Sequence, residues 1–98
     1  MAQFDVFRLP DGPLVVDCQA DLLSDLSTRL VVPLQAIDDG GQVSPRLNPI
    51  LMVGSERLVL KAHFASTVNA RLLRHPIATL AEHAYVIKAA LDILISGI

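Results

Sequence analysis

The chain has 98 residues, a formal net charge of -2, 52% hydrophobic residues and one cysteine. That length allows one core and a single domain over residues 1–98, and the lone Cys18 excludes an intrachain disulfide, as in a reducing compartment. The acidic balance speaks against a surface built to neutralise phosphates, so no direct nucleic-acid contact is expected.

Strand-like patterning dominates the first two thirds. Phe4 and Val6 alternate with Gln3 and Asp5 as in a half-buried strand, and Pro10-Asp11-Gly12-Pro13 is a turn signal before a second run over residues 14–18. The spacing predicts a hairpin. Residues 21–28 mix Asp, Ser and Leu as a loop does, and the apolar run 29–34 suits a central strand with Pro33 near its end. Residues 38–49 hold Gly40, Gly41, Pro45 and Pro49 and read as a long surface loop. Gly54-Ser55, flanked by residues 50–53 and 56–60, has glycine where a type II′ hairpin turn needs it. Val68, Ala70 and Leu72 alternate with Asn69 and Arg71 as a further strand.

Pro76 and Thr79 then introduce a helix over residues 80–96. At 100° per residue, Glu82, Tyr85, Lys88, Asp92 and Ser96 fall on one stripe, and Leu80, Ile87, Leu91, Leu94 and Ile95 on the other side. The fold class is therefore mainly β with a C-terminal α-helix.

A chain of this size buries only about 60–70% of the surface its unfolded form exposes, less than so apolar a composition calls for. No apolar run reaches the roughly 18 residues of a membrane span, and residues 1–7 lack a signal-peptide pattern. A cytoplasmic homodimer is expected to bury the surplus. Charge is unevenly placed, with seven acids and three bases in residues 1–49 against three acids and five bases in residues 50–98.

No catalytic constellation stands out. His63, His75 and His83 lack zinc-ligand spacing, so no metal or cofactor is expected. Cys18 lies in a strand run beside Val15 and Val16 and reads as a small core residue, not a nucleophile. Asp38 and Asp39 read as solvated turn formers, and Gly40-Gly41 lacks the Lys and helix start of a phosphate loop. Arg71, Arg74 and His75 make a small basic patch, read either as edge protection or as a site for an anion or acidic peptide.

The order of segments resembles the CcdB family of bacterial toxins, which poison DNA gyrase and are neutralised by the antitoxin CcdA. The resemblance rests on Gln3-Phe4-Asp5-Val6-Phe7, on Leu14-Val15-Val16-Asp17-Cys18-Gln19-Ala20-Asp21-Leu22-Leu23 and on Arg29-Leu30-Val31-Val32-Pro33-Leu34. Leu47-Asn48-Pro49-Ile50, Phe64-Ala65-Ser66, Ile87-Lys88 and the ending Gly97-Ile98 continue it. The resemblance implies an SH3-like, partly open β-barrel of the CcdB/MazF type, dimeric, that traps the gyrase A subunit on cleaved DNA and does no chemistry of its own.

For gyrase binding, the resemblance implies Gly97 and Ile98 of a terminal Trp-Gly-Ile pattern, with Asp92, Ile95 and Ser96 beside them, and the loop residues Asp21, Leu22 and Leu23. Ser96 stands where the family has Trp, and Asp92 and Ile95 where it has an amide and an aromatic residue. A CcdA-like antitoxin with an acidic segment would meet the basic half of the chain at Arg57, Lys61, Arg71 and Arg74. Two alternatives stand beside this reading. One is a non-toxic, antitoxin-binding derivative. The other is a MazF-like endoribonuclease, for which Arg29, Arg57, Arg71 and His63 are the available residue types.

Overall fold

Strands β1 (Asp5–Arg8) and β2 (Leu14–Asp17) form the first hairpin in the computed structural model, which describes residues 2–37 and 44–97. Of the long surface loop expected over residues 38–49, residues 38–43 lie outside the described residues, as does the terminal Ile98. Strand β1 starts one residue after Phe4, because Phe4 has a φ of 72°, which breaks the extended run. That conformation is held by burial of the ring and by two backbone bonds: Phe4 N donates to Asp17 O at 2.5 Å, and Phe4 O accepts from Leu80 N at 2.8 Å.

Strand β3 (Thr28–Ala36) pairs with β2 along one edge and with two different strands along the other. Its first half meets β6 (Ser66–Asn69), and its second half meets β5 (Glu56–Leu60). Pro33 falls between those two pairings. Its carbonyl accepts from Lys61 N at 2.9 Å, so its missing N–H faces the gap and not the continuous β2 edge. A proline inside a central strand is tolerated there because the ladder already breaks at that point.

Strand β4 (Ile50–Val53) joins β5 through the two-residue turn expected at Gly54-Ser55. Gly54 takes a φ of +64° while Ser55 stays at negative φ, as a type II′ turn requires. Strand β6 stops at Asn69, and the expected strand residues Ala70 and Leu72 belong to a 3-10 turn instead. The physical reason is local: Asn69 Oδ1 accepts from Arg71 N at 2.9 Å, an Asx turn that ends the extended backbone.

The described strands, closed by the short β7 (Ala78–Thr79) against β1, run in the order β4-β5-β3-β2-β1-β7 with β6 on the flank of β3. They form a nearly closed, barrel-shaped sheet followed by a C-terminal helix α1 (Ala84–Ser96), as an SH3-like, partly open barrel should. A 3-10 turn at Ala81–His83 leads into that helix, and another at Ala62–Phe64 packs under it.

Both faces of the sheet are covered. Val6, Val16, Val32, Leu34, Leu58 and Leu60 line the larger core, capped by Leu80, Ile87 and Ala90. Phe7, Val15, Val31 and Leu73 form a second cluster on the opposite face. Burial on both sides explains why β2 and the middle of β3 read as apolar runs, and it buries both Val6 and Phe7 of β1, where alternation suggested a half-buried strand.

Candidate functional site

Asp17 and Arg29 share the face of the second cluster, being cross-strand neighbours of Val31 and Val68. Both are buried, at 0% and 1% exposure. Arg29 Nε donates to Asp17 Oδ2 at 2.9 Å, and Nη2 sits 2.6 Å from the same oxygen but off the hydrogen-bond direction, an ionic contact more than an aligned bond. Asp17 Oδ1 accepts from Gln19 N at 3.1 Å. The two charges thus neutralise each other inside the protein, although Arg29 Nη2 has no aligned hydrogen bond, and Arg29 is withdrawn from any phosphate-binding role expected of it.

Gln19 carries this network outward. Its Oε1 accepts from Leu30 N at 3.1 Å and its Nε2 donates to Leu23 O at 2.8 Å, which fastens the 3-10 turn Asp21–Leu23 to β3. On the other side Gln3 N donates to Asp21 Oδ1 at 2.9 Å and Gln3 Nε2 to Cys18 O at 3.0 Å. Leu22, 96% exposed, therefore projects from an anchored turn. Leu23 and Leu26 are also exposed beside it. Gln3 and Gln19 are positioning residues that no spacing in the sequence singled out, because their role depends on strands brought together by the fold.

The candidate residues of the helix lie at its C-terminal end. Asp92, Ile95, Ser96 and Gly97 are exposed, Ile95 at 82%. Gly97 ends the helix in the left-handed region, φ 78°, and its N–H donates to Ile93 O at 2.8 Å. Only Ile87 and Ala90 of α1 are fully buried, with Ala84 and Leu91 packed partly against the core. The buried stripe is narrower than the apolar sector of the sequence, so Leu94 and Ile95 stay outside, as does Tyr85 at 84%. A groove of about 300 Å³ between Pro45, Arg46, Pro49, Tyr85, Val86 and Ala89 adjoins these residues, apolar apart from the Arg46 guanidinium.

The four cations expected to meet an acidic partner do not form one surface. Lys61 is 3% exposed, which removes it: its backbone closes the gap at Pro33 and its side chain is buried where β5 ends. Arg57 stands on β5, which pairs with the far half of β3. Arg71 and Arg74 are exposed and gather elsewhere, with Arg8 and His75, around a cavity of about 480 Å³. Arg8 was missed in the sequence because its place beside Arg71 follows from a non-local contact.

Cys18 is a buried core residue, and burial, followed by the neighbouring Asp17 carboxylate, pushes its thiol up to about 12. His63 Nδ1 faces Asn48 Nδ2 at 3.2 Å, while that amide also donates to Leu60 O at 3.1 Å. Among the described residues no group of His, Cys, Asp and Glu is placed to hold a metal ion, and no helix is long and apolar enough to cross a membrane.

A small barrel with a C-terminal helix, with Leu22 on one anchored turn and Tyr85, Leu94 and Ile95 on the helix exposed among polar residues, is the class of domain that these features define. The family model described as CcdB protein matches residues 3–97, nearly the whole chain, and the chain belongs to the CcdB family. That membership gives it a toxin–antitoxin toxin kind of function. No curated protein matches the chain.

Proposed function

We propose that this chain is the toxin of a type II toxin–antitoxin pair, acting in the cytoplasm as a homodimer that binds the gyrase A subunit and holds the gyrase–DNA cleavage complex. Family membership over residues 3–97 is the observation that carries the reading. The exposed helix end, with Asp92, Ile95, Ser96 and Gly97 around the capped terminus, supports it as the contact that enters the target, completed by Ile98. The turn Asp21, Leu22 and Leu23 is the second contact, and its anchorage by Gln3 and Gln19 keeps the order it needs before binding. The groove and the exposed side chains around Tyr85 and Val86 suit the association of two copies.

A CcdA-like antitoxin is the second partner. Of the four cations expected to meet its acidic segment, Arg57, Arg71 and Arg74 lie at the surface. A ribonuclease of the MazF kind is disfavoured, since Arg29 is committed to Asp17 and His63 to Asn48.

Ser96 favours a second reading, a weakened or non-toxic antitoxin-binding derivative. A buried aromatic anchor contributes about 2 kcal/mol or more at an interface, and each 1.4 kcal/mol or so is tenfold in affinity. Gyrase affinity is expected to rise at least tenfold in Ser96→Trp. Induced expression in a bacterial host compares wild type, Ser96→Trp and a form lacking Gly97 and Ile98, with gyrase-mediated DNA cleavage as readout. Killing by wild type that disappears on truncation supports the poison. Harmless wild type rescued by Ser96→Trp supports the derivative. Killing that survives truncation without gyrase cleavage rejects both.

A further inference from the structure

Of the eight lysines and arginines, Arg29 and Lys61 are buried, and three of the remaining six line one cavity. They arrive from different parts of the chain: Arg8 from the end of β1, Arg71 from the 3-10 turn after β6, and Arg74 from the segment that follows. His75 adds an imidazole. The cavity lining contains no carboxylate, and no described carboxylate forms a salt bridge with any of the three arginines. In a chain of net charge -2 this is a local concentration of like charge with no salt bridge to a described carboxylate.

The Arg8 side chain and the backbone at Arg71 are each tied locally. Arg8 Nη1 donates to Gly12 O at 2.7 Å, which ties the guanidinium to the first hairpin loop and leaves its other donors for a ligand. Asn69 Oδ1 caps the turn that carries Arg71. Between the cations, Pro10, Leu72 and Ile77 supply an apolar wall. At about 480 Å³ the cavity lies within the 300–1,000 Å³ range or so of small-molecule sites.

We propose that this cavity is a binding site for a small phosphate-bearing polyanion of nucleotide size, such as a nucleoside diphosphate. Guanidinium forks match phosphate oxygens in pairs, and the apolar wall takes the remainder of the ligand. The three arginines line one open concavity, whereas Arg57 stands on β5 and Lys61 is buried. A compact anion fits that arrangement better than an extended acidic peptide. The site stands independently of the gyrase reading, and a ligand in it competes with any acidic segment that uses Arg71 and Arg74.

Titration calorimetry with ADP and with inorganic pyrophosphate tests this on wild type, Arg74→Glu and Lys88→Glu. Lys88 is exposed on α1, outside the cavity, so its reversal matches the change in net charge. Binding of both probes that weakens by about tenfold or more in Arg74→Glu and is retained in Lys88→Glu is the expected result. Equal weakening in both variants reveals general attraction to a charged surface and overturns the site. Absence of binding up to millimolar ligand also overturns it. An oligoglutamate peptide that binds where ADP does not overturns the small-anion assignment in favour of an extended acidic partner, leaving the toxin reading untouched.

Discussion

The sheet and the helix end each depart from the usual distribution of polarity, in opposite directions. At the barrel, Asp17, Gln19, Arg29, Asn48 and Lys61 are buried. At the helix and the turn after β2, Leu22, Tyr85 and Ile95 stand almost wholly in solvent. Charged side chains are seldom fully buried unless paired, and large exposed apolar groups gathered together mark interaction surfaces. The contrast separates residues committed to folding from residues left for partners, and it places several charges in the first group and several hydrophobes in the second.

Breaking the buried pair tests the folding side most severely. Asp17→Ala leaves the Arg29 guanidinium buried without its counter-ion and is expected to cost about 3–5 kcal/mol. Urea unfolding followed by circular dichroism measures it. The double variant Asp17→Leu/Arg29→Met should recover most of the loss, because the second apolar cluster already surrounds the site. A single-variant loss under about 1 kcal/mol would place the pair among weakly coupled surface bridges and break the contrast.

Next in size is an alkaline effect at Cys18. Its thiol is held at about 12 in the fold against 9.0 when unperturbed, so above pH 9 the unfolded chain loses a proton that the folded chain keeps. Stability associated with Cys18 is fully present below pH 9 and falls as pH rises towards 12. By pH 10.5 the expected loss relative to neutral pH is about 2 kcal/mol, at roughly 1.4 kcal/mol per unit once the unfolded thiol is fully ionised. Comparing wild type with Cys18→Ala isolates it. Parallel pH profiles for the two proteins would mean that the thiol ionises freely in the fold.

Much of this architecture was readable from local signals. The Gly54-Ser55 turn, the helix and the burial of Cys18 each depend on neighbours in sequence: a glycine at a position requiring φ > 0, a 3.6-residue period, a run of β-branched residues. The family resemblance supplied the barrel. What stayed hidden depends on distant contacts. Arg29 and Lys61 carry the composition of surface residues, and nothing within a few positions reveals that Leu73 and Val68 cover the face on which Arg29 lies. The end of β6 was misplaced for a different reason, since the Asn69 side chain competes with the ladder just where alternation continues on paper. At the candidate site, the residue types at the helix end were legible from the family pattern, whereas Gln3 and Gln19 acquire meaning only once β2, β3 and the turn meet.

Gln19 joins the two regions, and its removal sharpens the comparison at smaller amplitude. Gln19→Ala deletes the bonds to Leu30 N and Leu23 O but leaves the Asp17–Arg29 pair in place. A stability loss of about 1–2 kcal/mol is expected, with faster amide exchange in residues 20–24. If exchange there is unchanged, the turn does not depend on this side chain for its order.

The smallest expected effect on folding is also the one that tests the interaction side most directly. Leu22→Ser and Ile95→Ser remove apolar groups that are already in water, so each should change the stability of the isolated subunit by less than about 0.5 kcal/mol. Chemical unfolding at a protein concentration low enough to dissociate dimers gives that number. The same variants should weaken capture by the gyrase A subunit, since each removes a group proposed to become buried in that complex. A stability loss of about 2 kcal/mol or more at low concentration would show that the exposed leucine and isoleucine belong to the fold after all. A loss seen only at high concentration would assign them to the seam between two copies, which retains their role as binding residues while changing what they bind first.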